Sequence, residues 1–307
     1  MSLKDQFKDE LTSSFTSPEG TITTQKLGKN RPTTDVLILY IGGAGDKESY
    51  FFAGPYYNVI GVKRYIEQRI ILKETTIDNS RYYCAYLGYN EVFRQKHMDT
   101  IIQDYICHKK NYEQSGIPPA PVANSELNAR TEDEIKNLKI VIIGHSLGGW
   151  NGAHLASYLV KNDYPVHYLI TIDPVGLGAI VRLISRVITD DPPSPKTENA
   201  WINIKLIGKG FDNFIAKMGE RWIPGFRKPF LGSYQPTTAL LPTHSYISKV
   251  SHAYAEDAVQ WRAGLIKVSP SQEPRDRDEE EKLSVISKDE QTPIEILKQS
   301  LLQWLNK

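Results

Sequence analysis

Ser146 is the residue from which chemistry can first be argued. It sits in Gly144-His145-Ser146-Leu147-Gly148, with Gly149 next. Immediately upstream, Lys139-Ile140-Val141-Ile142-Ile143 is the strongest strand pattern in the chain. Immediately downstream, 147–162 carry a helical pattern. A serine between glycines at a strand-to-helix turn is placed to act as a nucleophile. In so tight a turn a side chain at 144 or 148 would clash, and glycine removes the clash. The helix start directs free N–H groups and the positive end of its dipole at the site. The Leu147 N–H can therefore donate to a developing oxyanion. That set of features suits acyl transfer, in which a hydroxyl attacks a carbonyl and water later releases the acyl group.

Such a nucleophile needs a second N–H donor, an acid and a base. The donor must come from the loop after an earlier strand, and Gly42-Gly43-Ala44-Gly45 is the glycine-rich loop in that position. The loop lacks the Lys-Ser/Thr of a phosphate cradle. The acid must follow Ser146 and lie at the carboxyl end of a strand. Asp173 does both, and Pro174 after it is expected to hold it extended. Asp212, after the strand pattern at 201–207, is the rival.

Seven histidines are present. His97 and His108 precede the nucleophile, His145 belongs to the elbow itself, His154 lies two turns down its helix, and His167 begins a strand at the wrong end of the sheet. His244 and His252 remain. Ile247, Val250, Tyr254, Ala258, Trp261 and Leu265 suggest one helix, which makes the preceding His244 the first nominee for the base. If the helix starts instead at Ser251, His252 becomes the loop residue and the base.

Gly144-His145-Ser146-Leu147-Gly148-Gly149 resembles the elbow of the lipase and esterase branch of the α/β-hydrolases, and the resemblance covers roughly residues 35 to 266. It implies an α/β fold with a mostly parallel central sheet and helices on both faces. It also implies a Ser-His-Asp ester hydrolase that needs no metal or cofactor. By similarity to lipases, Ala44 would supply the second oxyanion N–H, with Gly43 beside it. Strand-Asp173-Pro174 is similar to lipases of the pancreatic type, whereas Asp212 occupies the acid position of many other members. Trp201-Ile202-Asn203-Ile204, with Phe211-Asp212 and Trp222 downstream, is similar to bacterial lipase-like effectors secreted without signal peptides, which favours phospholipid among lipids.

The elements that must position these residues follow from periodicity. Strands are expected at 35–41, 82–87, 139–143, 167–172 and 201–207. Helices are expected at 56–72, at 90–110, after a capping box at Thr131–Glu134, and at 147–162. Strands alternating with helices predict a parallel sheet covered on both faces. Residues 1–34 read as a polar lead-in, 35–268 as the main domain, 269–292 as a charged linker and 293–307 as an amphipathic helix. That helix either docks on the domain or meets a partner or membrane surface. Segments 48–57, 115–128, and 177–199 with 211–236 could cover the site; the first is aromatic and the stretch 178–184 beside Asp173 is apolar, which suits acyl chains.

Composition excludes other classes. The 307 residues are 40% hydrophobic and 24% charged with a formal net charge of +1, which argues against a nucleic-acid or polyanion partner. Cys84 and Cys107 are too few for a disulfide framework or a four-thiolate zinc site. The N-terminus lacks a signal-peptide core, and no run of about 18 apolar residues occurs. The expectation is a cytoplasmic protein, or one exported without a cleavable signal. Its partner would be a small ester or lipid, with transient membrane-surface contact. Two other readings remain open: a thioesterase or small-ester carboxylesterase, and an inert binding protein of the same fold.

Overall fold

Four apolar runs, each buried along nearly its whole length, set the architecture. The computed structural model describes residues 36–47, 54–71, 73, 81–109, 128–178, 181, 185–188, 192–208, 216, 219–227, 235–236, 238–260, 265–269 and 291–306. All belong to one compact unit, Thr33–Lys307. The strands are β1 (Val36–Gly42), β2 (Tyr82–Gly88), β3 (Lys139–His145), β4 (Val166–Ile172), β5 (Ala200–Leu206), β6 (His244–Ser248) and β7 (Leu265–Val268). They form one seven-stranded sheet in the order β7-β6-β5-β4-β3-β1-β2. Every neighbouring pair is parallel except β6 and β7.

Alternating residues of these runs serve two layers. Val36, Ile38, Tyr40, Val141, Ile143, Ile170 and Ile202 pack under α1 (Asn58–Tyr65), α5 (Ala255–Gln260) and α6 (Pro293–Leu305). Leu37, Leu39, Ile41, Ile140, Ile142, Leu169 and Trp201 pack under α2 (Gln95–Ile101) and α4 (Leu147–Lys161). Covering both faces is why the strands are continuously apolar rather than alternating. The helices expected at 56–72 and 90–110 each form an α-helix followed by a π-helical turn, Ile66–Ile71 and Ile102–Cys107. The expected capping box opens α3 (Glu132–Asn137), where Thr131 Oγ1 accepts the Glu134 N–H and Glu134 accepts the Thr131 N–H.

The chain runs outward from β1 to β2, then returns across β1 to begin β3 and proceeds the other way. The strand order therefore reverses between β1 and β3, and open parallel sheets bind ligands at the carboxyl ends of such a reversal. Gly43 follows β1 there and Ser146 follows β3. Among the described residues no helix is long and apolar enough to cross a membrane.

The helix expected over 247–265 is not formed. Residues 244–248 are β6, 252–254 a single 3₁₀ turn, 255–260 α5, and 265–268 β7. Pairing with β5 on one edge and β7 on the other satisfies the β6 backbone on both sides. It also buries Tyr246 and Ile247. This non-local gain outweighs a local helical period.

The C-terminal amphipathic segment docks on the domain. Thr292 caps it reciprocally with Glu295, and Pro293 occupies its first turn. Ile294, Leu297, Leu301 and Leu305 are buried. The Arg81 guanidinium donates to the Trp304 and Leu305 carbonyls at 3.1 and 3.0 Å, closing the other end. Leu301→Ala should therefore cost about 2–5 kcal/mol in urea unfolding. A loss under about 0.5 kcal/mol, the scale of surface changes, would mean that this helix is not part of the core.

Candidate active site

The approach of α4 to the sheet fixes the conformation of Ser146. A Cβ on Gly148 would lie 2.2 Å from the Ile41 carbonyl oxygen, and one on Gly144 would lie 2.4 Å from the Gly148 oxygen. Only glycines allow helix and strands to meet so closely. Between them Ser146 takes φ 54° and ψ −125°, a region that costs a non-glycine residue on the order of 1–3 kcal/mol. Its surroundings hold it there. Ser146 N–H donates to the Ile172 oxygen at 3.0 Å, and its own carbonyl accepts from Gly149, Trp150 and Val175 at 3.0, 3.2 and 3.1 Å.

Register then aligns the neighbouring strand ends. His145 is level with Ile172, and Ile172 with Ile204. The residues just beyond, Ser146 and Asp173, therefore emerge side by side. The loop after β6 reaches back over them, held where Ile207 and Gly208 donate to the Ser248 and Val250 carbonyls at 2.9 and 2.8 Å. It delivers His252, whose Nε2 lies 2.9 Å from Ser146 Oγ and whose Nδ1 lies 2.6 Å from Asp173 Oδ2. The Ala255 N–H donates to Asn58 Oδ1 at 2.9 Å and ties the following turn to α1.

Asp173 is 1% exposed. Burial alone would raise its pKa, but Arg221 first, and then His252, hold its carboxyl below the usual carboxylate range. Arg221 Nε donates to both oxygens at 2.7 and 2.9 Å. Asp173 has φ 42°, so Pro174 does not keep it extended as its sequence position suggested. Its N–H bonds the Ile204 oxygen at 2.6 Å while Arg221, His252 and the Leu206 N–H hold its carboxylate. Aspartate tolerates the left-handed region better than most residues.

The glycine loop after β1 abuts the nucleophile. A Cβ on Gly43 would lie 2.7 Å from Ser146 Cβ. Leu147, first in α4, has no intrahelical acceptor for its N–H. The loop is anchored by Asp46, which sequence reasoning missed. Asp46 Oδ1 accepts the Val59 N–H at 2.9 Å, at the start of α1, and Oδ2 accepts the Tyr86 hydroxyl at 2.9 Å. Burial pushes the Asp46 carboxyl up, against the pull of these donors. An acid directly after Gly-Gly-Ala-Gly was the available signal.

The structure thus brings together Ser146, Asp173, His252, Leu147 and Gly43, with Ala44 next in the loop, and it does not bring His244. His244 opens β6 level with Ile202, Ile170 and Ile143. Three strand spacings of about 4.8 Å put it roughly 14 Å from β3. It was mis-nominated because the helix it was expected to precede is a strand. The second alternative holds, with Ser251 starting the turn that carries His252. Asp212, and residues 48–53, 115–127, 179–180, 182–184, 189–191, 211–215, 217–218 and 228–234 of the expected covering segments, lie outside the described residues. A cavity of about 590 Å³ lined by Phe93, Met98, His154, Tyr158, Val187 and Ile188 opens beside α4 without including the nucleophile. Among the described residues no group of three or more His, Cys, Asp or Glu side chains could hold a metal ion. No protein-family model matches the chain, and no curated protein matches its sequence.

His145 packs its ring 4.4 Å from that of His252. Burial, then the neighbouring His252, pushes its pKa well below the ordinary value. The unfolded chain takes up a proton near pH 6.5 that the fold refuses, so this residue's contribution is present above that pH and is lost as pH falls. His145→Gln should reduce the pH dependence of urea-unfolding stability below pH 6.5 by up to about 1.4 kcal/mol per unit. An unchanged slope between pH 6.5 and 5 would show that His145 accepts a proton in the fold.

Proposed function

We propose that this chain is a serine hydrolase of α/β-hydrolase fold that cleaves carboxylic esters, with Ser146 as nucleophile, His252 as base and Asp173 as acid. The observation that carries the reading is the continuous hydrogen-bonded line from Ser146 Oγ through His252 to Asp173, at 2.9 and 2.6 Å. The strand order and the position of Ser146 at its reversal support the same reading.

The reaction follows from the geometry. Asp173 accepts the His252 Nδ1–H, which leaves Nε2 as the acceptor facing Ser146. Nε2 takes the hydroxyl proton as Oγ attacks the ester carbonyl. The oxyanion is met by the Leu147 N–H and by an N–H of the Gly43-Ala44 loop. The acyl–oxygen bond breaks, the alcohol leaves with the proton from Nε2, and the acyl group stays on Oγ. Water then attacks in turn, gives its proton to Nε2, and releases the carboxylic acid with Ser146 restored.

A lipid ester is the favoured substrate. Tyr56 and Tyr57 follow the anchored loop and Tyr254 follows the base, and all three are exposed, as are Leu240 and Leu241. Such residues suit an acyl chain or a lipid surface better than a small polar ester.

A fluorophosphonate should label the wild type and His244→Ala at Ser146, and should label neither Ser146→Ala nor folded His252→Ala. Unlabelled wild type would sink the reading, and loss of labelling in His244→Ala would restore that residue as base. With p-nitrophenyl esters, turnover should rise from acetate to octanoate. Turnover of acetate alone would point to a small-ester carboxylesterase.

A further inference from the structure

The acid in this site carries a second cationic partner. Arg221 Nε lies 2.7 Å from Asp173 Oδ1 and 2.9 Å from Oδ2, the oxygen that also faces His252 Nδ1. Both Arg221 and Asp173 are buried. We infer that Arg221 is a positioning residue for the base. It fixes the Asp173 carboxylate in the orientation in which Oδ2 meets His252 Nδ1. The inference rests on the hydrolase reading.

Arg221 arrives on a segment built to hold it. Residues 219–222 run beside the chain that leaves Asp173, with Val175 bridged to Arg221. The Trp222 N–H donates to the Pro174 oxygen at 2.8 Å, and the Gly176 N–H to the Glu220 oxygen at 3.3 Å. The Trp222 ring lies 5.5 Å from those of both Trp150 and Trp201. The guanidinium is thus delivered from a rigid stretch of backbone.

Its consequence for the base has a definite sign. Without Arg221 the buried Asp173 carboxyl would take up a proton more readily, because Arg221 is the first of the groups that hold it down against burial. A protonated Asp173 cannot accept the His252 Nδ1–H, so activity is lost at a higher pH than when Arg221 is present. His145 and Asn58 also pack near the base. His145 stays neutral through burial. Asn58, the α1 residue bonded to the turn after His252, is uncharged, and the Glu256 carboxylate is directed at Gly61.

The test compares wild type with Arg221→Met and Arg221→Lys. It reads kcat and KM on a p-nitrophenyl ester from pH 5 to 9, together with the low-field proton resonance of the His252 Nδ1–H. Arg221→Met should move the acid limb of kcat/KM upward by about one pH unit. It should lower kcat at pH 7 about tenfold, leave KM nearly unchanged, and shift the low-field resonance. Arg221→Lys keeps the charge but not the planar fork, so it should keep the wild-type limb with a reduced kcat. Arg221→Gln carries the neutral arm if Arg221→Met does not fold. A folded neutral variant with wild-type limb and resonance overturns the inference, as does a Lys variant with wild-type kcat. If wild type turns over no ester while the resonance still answers to Arg221→Met, the hydrolase reading fails and the positioning stands.

Discussion

The close approach of the α4 start to the backbones of β1 and β3 is the constraint on which the site depends. Gly148 meets the Ile41 oxygen and Gly144 meets the Gly148 oxygen, at separations that leave no room for a Cβ. This contact forces Ser146 into the left-handed half of backbone space and turns its side chain away from the helix it precedes. The strain is local, but what sustains it is not. Four backbone hydrogen bonds and two apolar layers on the sheet hold the turn closed. A site of this kind is stable only as part of a much larger buried structure.

Charge placement obeys a similar logic. The buried Asp173 carboxylate is tolerable only because guanidinium, imidazole and a backbone N–H converge on it. Asp46 does the corresponding work for the glycine loop, with a helix N-terminus and a tyrosine hydroxyl as its partners. In both cases a carboxylate is held by donors from distant parts of the chain. The groups around Ser146 are thereby held in place by the fold itself.

The parts of this arrangement legible in the sequence were those with a local signature. The run 139–143, the glycines flanking Ser146 and the pattern after it placed the turn to the residue. Asp173 was legible because it ends an apolar strand. The histidine was harder. Ile247, Val250, Tyr254 and Ala258 fit a helical period, and nothing local says that 244–248 will be drawn between β5 and β7. Only sheet pairing decides that, and it shifts the loop from His244 to His252. Arg221 had no signature at all. Its contact with Asp173 exists only because the segment after β5 folds back along Val175, a contact between residues 46 positions apart. Asp46 stood beside a recognised loop, and its function as an anchor needed the α1 N-terminus in place.

The central claim is that Ser146 and His252 act as one chemical unit rather than as two polar neighbours. A double-mutant cycle on ester turnover measures this directly, with Ser146→Ala, His252→Ala and the double replacement compared in folded protein. Coupled residues give single losses in kcat of about 10⁴-fold or more, and the double variant falls no further than the worse single. Losses that multiply, or a His252→Ala variant that keeps wild-type kcat, would contradict the account.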